Sequence, residues 1–180
     1  NKQHLMSFGG QLTVNSVNYT NIANDTLTVL DRQDDGYTAS LYGQDSWKPM
    51  EKLNIIPGIR ATYYNGTEKL YVEPRVGMSY SLTDRLKAKA AWGLYHQFVT
   101  RVTREDLSQG SRDFWLLANE ELNPVSSAYH YILGVQYETD NFLFDVEAYY
   151  KDMSGLSEYT LRFSNDFLTR MVEMDELFYN

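Results

Sequence analysis

Apolar and polar residues alternate with a period of two over much of the chain, most cleanly between Leu53 and Ala91. Leu53, Ile55, Pro57, Ile59, Ala61 and Tyr63 share one parity, and Asn54, Gly58, Arg60, Thr62 and Tyr64 share the other. The rhythm returns in Val72, Pro74, Val76, Met78 and Tyr80, then in Leu86, Ala88, Ala90, Trp92 and Leu94. Such a period sends successive side chains to opposite faces of a sheet. It predicts an all-β chain: strands over residues 5–15, 37–47, 53–64, 70–82, 85–97, 127–138 and 141–151, joined as an antiparallel meander of about seven or eight strands.

The connections are unequal in a systematic way. Short turns are expected at 48–52 (around Pro49), at 82–84 and at 139–140, all on one rim. Long polar segments at 16–35, 98–125 and beyond Asp152 fall on the other rim. The exception there is residues 65–69, whose Asn65-Gly66 pair is a hairpin signal. The last part carries no obvious terminal strand, although 161–174 could hold one more strand or a short helix. Short turns on one side and long loops on the other are the habit of outer-membrane barrels. Tyr63, Tyr80, Trp92, Tyr131, Tyr137, Phe142 and Tyr150 lie towards strand ends, as an aromatic belt requires.

Composition narrows this further. Fifteen tyrosines, three tryptophans and eight phenylalanines accompany a mean hydropathy of only -0.48. No run of about 18 apolar residues exists, so no helix of this chain would span a membrane. A net charge of -8 argues against a nucleic-acid partner, which would demand a basic face. Cysteine is absent, which removes thiolate chemistry and disulfides. Two other readings fit the alternation: a different outer-membrane barrel such as a porin, or a soluble β-rich binding domain with Val76, Met78, Leu133 and Phe144 buried against a second sheet.

Candidate chemistry is sparse. His4, His96 and His130 are separated by whole strands, no metal-ligand spacing occurs, and no cofactor, metal or catalytic residue is implied. Folding the 65–69 hairpin about residues 66–67 sets Arg60 across from Glu73 on the polar face, a lumen-wall ion pair with Arg75 two residues along. Lys87 and Lys89 share that face. In the last hairpin Glu147 is expected near Ile132 and Asp145 near Gly134. An ordinary polar lumen wall accounts for all of these.

Particular residues also carry a family resemblance. Leu53-Asn-Ile-Ile-Pro-Gly-Ile-Arg60 followed by Tyr71-Val-Glu-Pro-Arg75 resembles a hairpin of TonB-dependent outer-membrane receptors. Ala91-Trp-Gly-Leu-Tyr-His-Gln97, Phe114-Trp115, Ala118-Asn119, Leu122-Asn-Pro124, Ser127-Ala-Tyr129 and Val146-Glu-Ala-Tyr-Tyr-Lys-Asp152 continue the likeness in family order. The final pieces are similar to the Bacteroidetes version, which often carries a carboxypeptidase-regulatory-like N-terminal domain.

The resemblance implies a transmembrane antiparallel β-barrel of about 22 strands around a plug. Residues 1–180 would form part of its C-terminal half, with the plug absent from this chain. It implies a bacterial outer-membrane location and energy-coupled uptake of a scarce nutrient: siderophore, cobalamin, glycan or peptide. Implied partners are outer-membrane lipid, TonB acting through the plug, the small nutrient and a surface lipoprotein. By position alone, Tyr95, His96, Gln97, Phe114, Trp115 and Lys151 would face the ligand from the outer loops or lumen.

Overall fold

A computed structural model describes residues 3–23, 27–106, 110–119, 123–162 and 174–179. Eleven strands run in chain order: β1 (His4–Ala23), β2 (Leu27–Met50), β3 (Leu53–Tyr64), β4 (Lys69–Ser81), β5 (Leu86–Gln97), β6 (Val99–Asp106), β7 (Gly110–Leu117), β8 (Ser126–Glu138), β9 (Leu143–Ser154), β10 (Ser157–Arg162) and β11 (Met174–Tyr179). Seven form one sheet in the order β1-β2-β3-β4-β5-β8-β9, with β6–β7 and β10–β11 as separate ribbons. All pairings are antiparallel. The sheet is a wall, open at β1 and β9.

One face of this wall is apolar and bare. Phe8, Leu41, Leu133 and Val146 are each more than two-thirds exposed. Across the strands they join rows such as Ile55–Met78–Ala90–Leu133–Ala148. No second sheet covers this face among the described residues, and an apolar surface of this extent is unsuited to water. The ladders pair the backbone along most of each strand, the condition a wall must meet before such a face can suit hydrocarbon. Trp92, Tyr131 and Tyr150 form a consecutive aromatic row on the same face.

Threonines close two short turns. Thr83 Oγ1 accepts from the backbone N–H groups of Arg85 and Leu86, and Thr139 Oγ1 accepts from Phe142 N–H. The 65–68 turn works differently from the expectation raised by its Asn-Gly pair. Its left-handed residue is Glu68 (φ 53°), not Gly66. Gly66 is needed because a Cβ there would lie 2.6 Å from the Tyr64 ring.

Several boundaries differ from the sequence expectation. Segment 16–35 is not a loop: β1 and β2 stay paired as far as Ala23↔Leu27, carrying the ribbon well past the wall. Polar residues such as Asn15, Ser16, Asn18, Gln33 and Asp34 crowd that extension, so its alternation fades although its backbone stays paired. β2 also runs through Pro49 to Met50, with a register shift between Trp47 and Met50 that accommodates a residue lacking an N–H donor. Segment 98–125 contains the β6–β7 hairpin. In the last hairpin Glu147 faces Gly134 and Asp145 faces Gln136, two residues from the expected register, because the turn spans 139–142. Beyond Asp152 the chain forms β10 and β11, so a terminal strand exists after all. Leu161 belongs to β10, while 163–173, where the alternative of a short helix was raised, lies outside the described residues.

Candidate ligand-facing wall and outer rim

The turns at 51–52, 82–85 and 139–142 lie on one rim, and the 65–68 turn, the β1–β2 extension and both small ribbons belong to the other. On the polar face near that second rim, one guanidinium ties four strands together. Arg60 Nη2 donates to Gln11 Oε1 (3.0 Å) on β1 and to Ser40 Oγ (3.0 Å) on β2. Its Nε donates to Thr62 Oγ1 at 3.3 Å and lies 3.7 Å from Glu73 Oε2 on β4. The Arg60↔Glu73 register expected from the turn is present. At 3.7 Å the carboxylate is a neighbouring counter-charge rather than a hydrogen-bond partner. Arg75 Nη2 donates to Gln44 Oε1 at 3.0 Å, repeating the arrangement one step along the wall.

Glu73 has a second task, created by the proline that follows it. The β4–β5 ladder ends at Arg75↔Gly93, next to Pro74, which has no N–H to continue it. The N–H of His96 on β5 then bonds to Glu73 Oε1 at 2.7 Å. A side-chain carboxylate thus takes over from the missing ladder bond. His96 Nδ1 sits 3.6 Å from the same oxygen, and its ring lies 5.0 Å from that of Tyr71. Arg60, Glu73, Arg75, Tyr95, His96 and Phe98 surround a cavity of about 300 Å³ here.

Further along the polar face, Lys89 on β5 pairs with Asp145 on β9 at 2.5 Å, reaching across β8. The β8 residue facing Lys89 is Gly134, where a Cβ would come within 2.9 Å of Glu147 Cγ. No sequence signal links positions two strands apart, so this pair was not anticipated.

The expected ligand-facing residues separate into groups. Tyr95 and His96 meet at the Arg60–Glu73 cavity, and the Tyr95 ring packs 4.7 Å from His130. Lys151 faces His130 across the β8–β9 ladder, so it extends the same polar row. Gln97 is exposed, and its side chain turns back to the Val99 carbonyl (2.8 Å) rather than into the cavity. Trp115 stands half-exposed on β7 and Phe114 is its neighbour in that strand, both on the outer ribbon. Tyr71, Phe98, Gln11, Ser40 and Gln44 were missed. Ser40 could have been found from its parity beside Ala39 and Leu41. Gln11 could not, because its role depends on Arg60 reaching two strands away.

The ribbon is rooted by buried contacts. Tyr64 is 1% exposed and donates its hydroxyl to the Ala118 carbonyl at 2.7 Å. Its ring packs 4.9 Å from Phe98, which is 5.1 Å from Tyr71. Ala118 N–H closes the neck on the Phe98 carbonyl at 2.8 Å. Among the described residues, no group of three or more histidines and acidic side chains could hold a metal ion.

A family model described as TonB dependent receptor-like, beta-barrel, matches residues 3–169. The chain belongs to this family. Its members are outer-membrane receptors rather than enzymes, and an open antiparallel wall with an uncovered apolar face is what a piece of such a barrel would show.

Solved structures agree on the fold of this TonB-dependent receptor wall. The siderophore receptor PirA from Pseudomonas aeruginosa matches with a TM-score of 0.67 at 15% identity, over 97% of this chain and 32% of that one. A mutant of the ferric enterobactin receptor PfeA from the same organism gives 0.65 at 15%, over 87% and 25%. PirA from Acinetobacter baumannii gives 0.63 at 13%, over 98% and 29%. The chain therefore spans about a quarter to a third of these receptors. No curated protein matches it.

Proposed function

We propose that this chain is part of the wall and outer rim of a TonB-dependent importer for a scarce nutrient, towards the C-terminal half of its barrel, with the plug carried elsewhere in the protein. The carrying observation is the family match over 3–169, joined to a wall whose long ribbons all lie on one rim. In this reading the rim captures the nutrient, and TonB, pulling on the plug, releases it inward. Tyr95 and His96 contact it from the cavity wall, Lys151 from the neighbouring polar row, and Phe114 and Trp115 from the ribbon. Gln97 stays in the proposal as a rim residue. Arg60 and Glu73 keep the wall in register beneath them.

A ferric siderophore is the first nutrient to test, because PirA is described as a siderophore receptor and PfeA as a ferric enterobactin receptor. Cobalamin, glycan and peptide complete the panel. A carboxypeptidase-regulatory-like domain upstream and a surface lipoprotein belong to the Bacteroidetes form of this proposal.

The test uses the full-length protein in its native outer membrane. Uptake of labelled ferric enterobactin, cobalamin, oligosaccharides and peptides is compared between the parent strain, a deletion strain and a strain lacking TonB. Uptake of one compound lost in both mutants supports the reading. A mature protein of about 21 kDa, with no plug, would overturn it.

A further inference from the structure

Where the outer ribbons are rooted, one buried side chain faces both. Asn123 is 2% exposed and lies between the end of β7 and the start of β8. Its Nδ2 donates to the carbonyl of Leu117, the last residue of β7, at 3.2 Å. Its Oδ1 accepts from Ser157 Oγ, the first residue of β10, at 2.5 Å. The loop carrying it is held independently: Asn119 Oδ1 accepts from Asn123 N–H (3.0 Å), and Asn119 N–H donates to the Asn123 carbonyl (2.7 Å). Nearby, Ser126 Oγ donates to the Gly155 carbonyl at 2.7 Å, fixing the turn that leads into β10. The ribbons also touch one another, with β10 lying against β6.

We propose that Asn123 is a positioning residue that locks the β6–β7 and β10–β11 ribbons into a single body, so the importer presents one preorganised capture surface at this part of its rim. The capture role rests on the import reading; the locking does not. The amide suits the task because it offers a donor and an acceptor from opposite atoms of one short, rigid side chain. Each atom serves a different ribbon. Fixing both before a ligand arrives removes their ordering cost from the binding step.

The two legs can be cut separately. Ser157→Ala removes the β10 leg alone. Asn123→Asp keeps an oxygen for Ser157 but replaces the nitrogen that serves Leu117, and mildly alkaline conditions keep that carboxylate ionised. Asn123→Ala removes both. Amide hydrogen exchange is followed in the full-length receptor in its membrane, with β3 and β4 as internal controls and no nutrient added.

Losing one such bond is expected to speed local opening by about fivefold to tenfold. The expected pattern is faster exchange in β6–β7 with Asn123→Asp, in β10–β11 with Ser157→Ala, and in both ribbons with Asn123→Ala, the controls unchanged. Unchanged exchange in both ribbons with Asn123→Ala, or with both single-leg variants, would overturn the proposal. Should Asn123→Ala fail to assemble, the two single-leg variants decide it. Because no nutrient is involved, this result is independent of whether the import reading holds.

Discussion

The β3–β4 hairpin and the β6–β7 ribbon are both antiparallel pairs, yet they are held by different means. Along β3–β4 the support is distributed: twelve consecutive residue pairs, a continuous apolar row on one face, and polar side chains bonded across neighbouring strands on the other. Among the described residues the ribbon's ladder has no third strand, and its buried apolar side chains include Val102, Leu116 and Leu117, with Ala118 just beyond β7. Its attachment is concentrated in a neck made by Tyr64, Phe98 and Asn123. A wall element should therefore be sensitive to which solvent each face meets. A ribbon should be sensitive to a few buried atoms.

The sharpest way to break that comparison is a charge on the lipid face. Leu133 lies in the central row of β8, 68% exposed. Leu133→Arg should cost about 2–4 kcal/mol, as cations at the midplane of membrane barrels do. The same change at Trp115, half-exposed to water on the ribbon, should cost under about 1 kcal/mol. Folding of the full-length receptor into bilayers, titrated with urea, measures both. Equal costs would mean that the apolar face of β8 does not meet lipid.

Next in size is the neck. Tyr64→Phe keeps the ring against Phe98 and removes only the hydroxyl that satisfies the Ala118 carbonyl. An unsatisfied buried carbonyl costs about 1–3 kcal/mol. That loss should surface as faster proteolysis within β6–β7, while the unfolding midpoint of the barrel stays in place. A lowered midpoint would show that the neck supports the wall as well.

The same contrast explains what could be read from the sequence. One apolar and one polar face impose alternation on the wall, so β3, β4, β5, β8 and β9 were visible within a few residues of their ends. The Arg60–Glu73 register followed from a turn whose ends are fixed. The 139–142 turn hid its register because Thr139 closes it on Phe142, two positions beyond the apparent Thr-Asp centre. The upper part of β1–β2 and β6–β7 lack a sustained apolar–polar alternation, so paired strands looked like polar loop. His96 at the cavity was guessed by location alone. Its actual placement depends on Pro74 ending one ladder, a long-range consequence that periodicity does not encode.

A finer test concerns the wall's own polar face. The Arg60–Glu73 contact is 3.7 Å, and the Arg60 side chain is one-third exposed and better bonded to Gln11 and Ser40. A double-mutant cycle of Arg60→Met with Glu73→Gln should return a coupling below about 1 kcal/mol. Glu73→Gln keeps an oxygen for the His96 N–H, so the cycle isolates charge from the ladder repair. A coupling of several kcal/mol would make this pair, rather than the shared hydrogen bonds, the clamp between β3 and β4.

The smallest effect belongs to the short-turn rim, where the wall meets water without a ribbon to hold. Arg85 Nη2 lies 3.6 Å from Asp140 Oδ1, with side chains 58% and 90% exposed. An ion pair this solvated gains little Coulomb energy and must still order two side chains, so Asp140→Asn should shift stability by less than about 0.5 kcal/mol. The turn itself is built from Thr139 and Phe142, whose bonds do not involve the Asp140 carboxylate. Thr139→Val, which removes the hydroxyl that accepts Phe142 N–H, should therefore exceed Asp140→Asn in the same urea titration. If the order were reversed, charge rather than turn geometry would set that rim, and the wall would depend on a few exposed atoms much as the ribbon depends on a few buried ones.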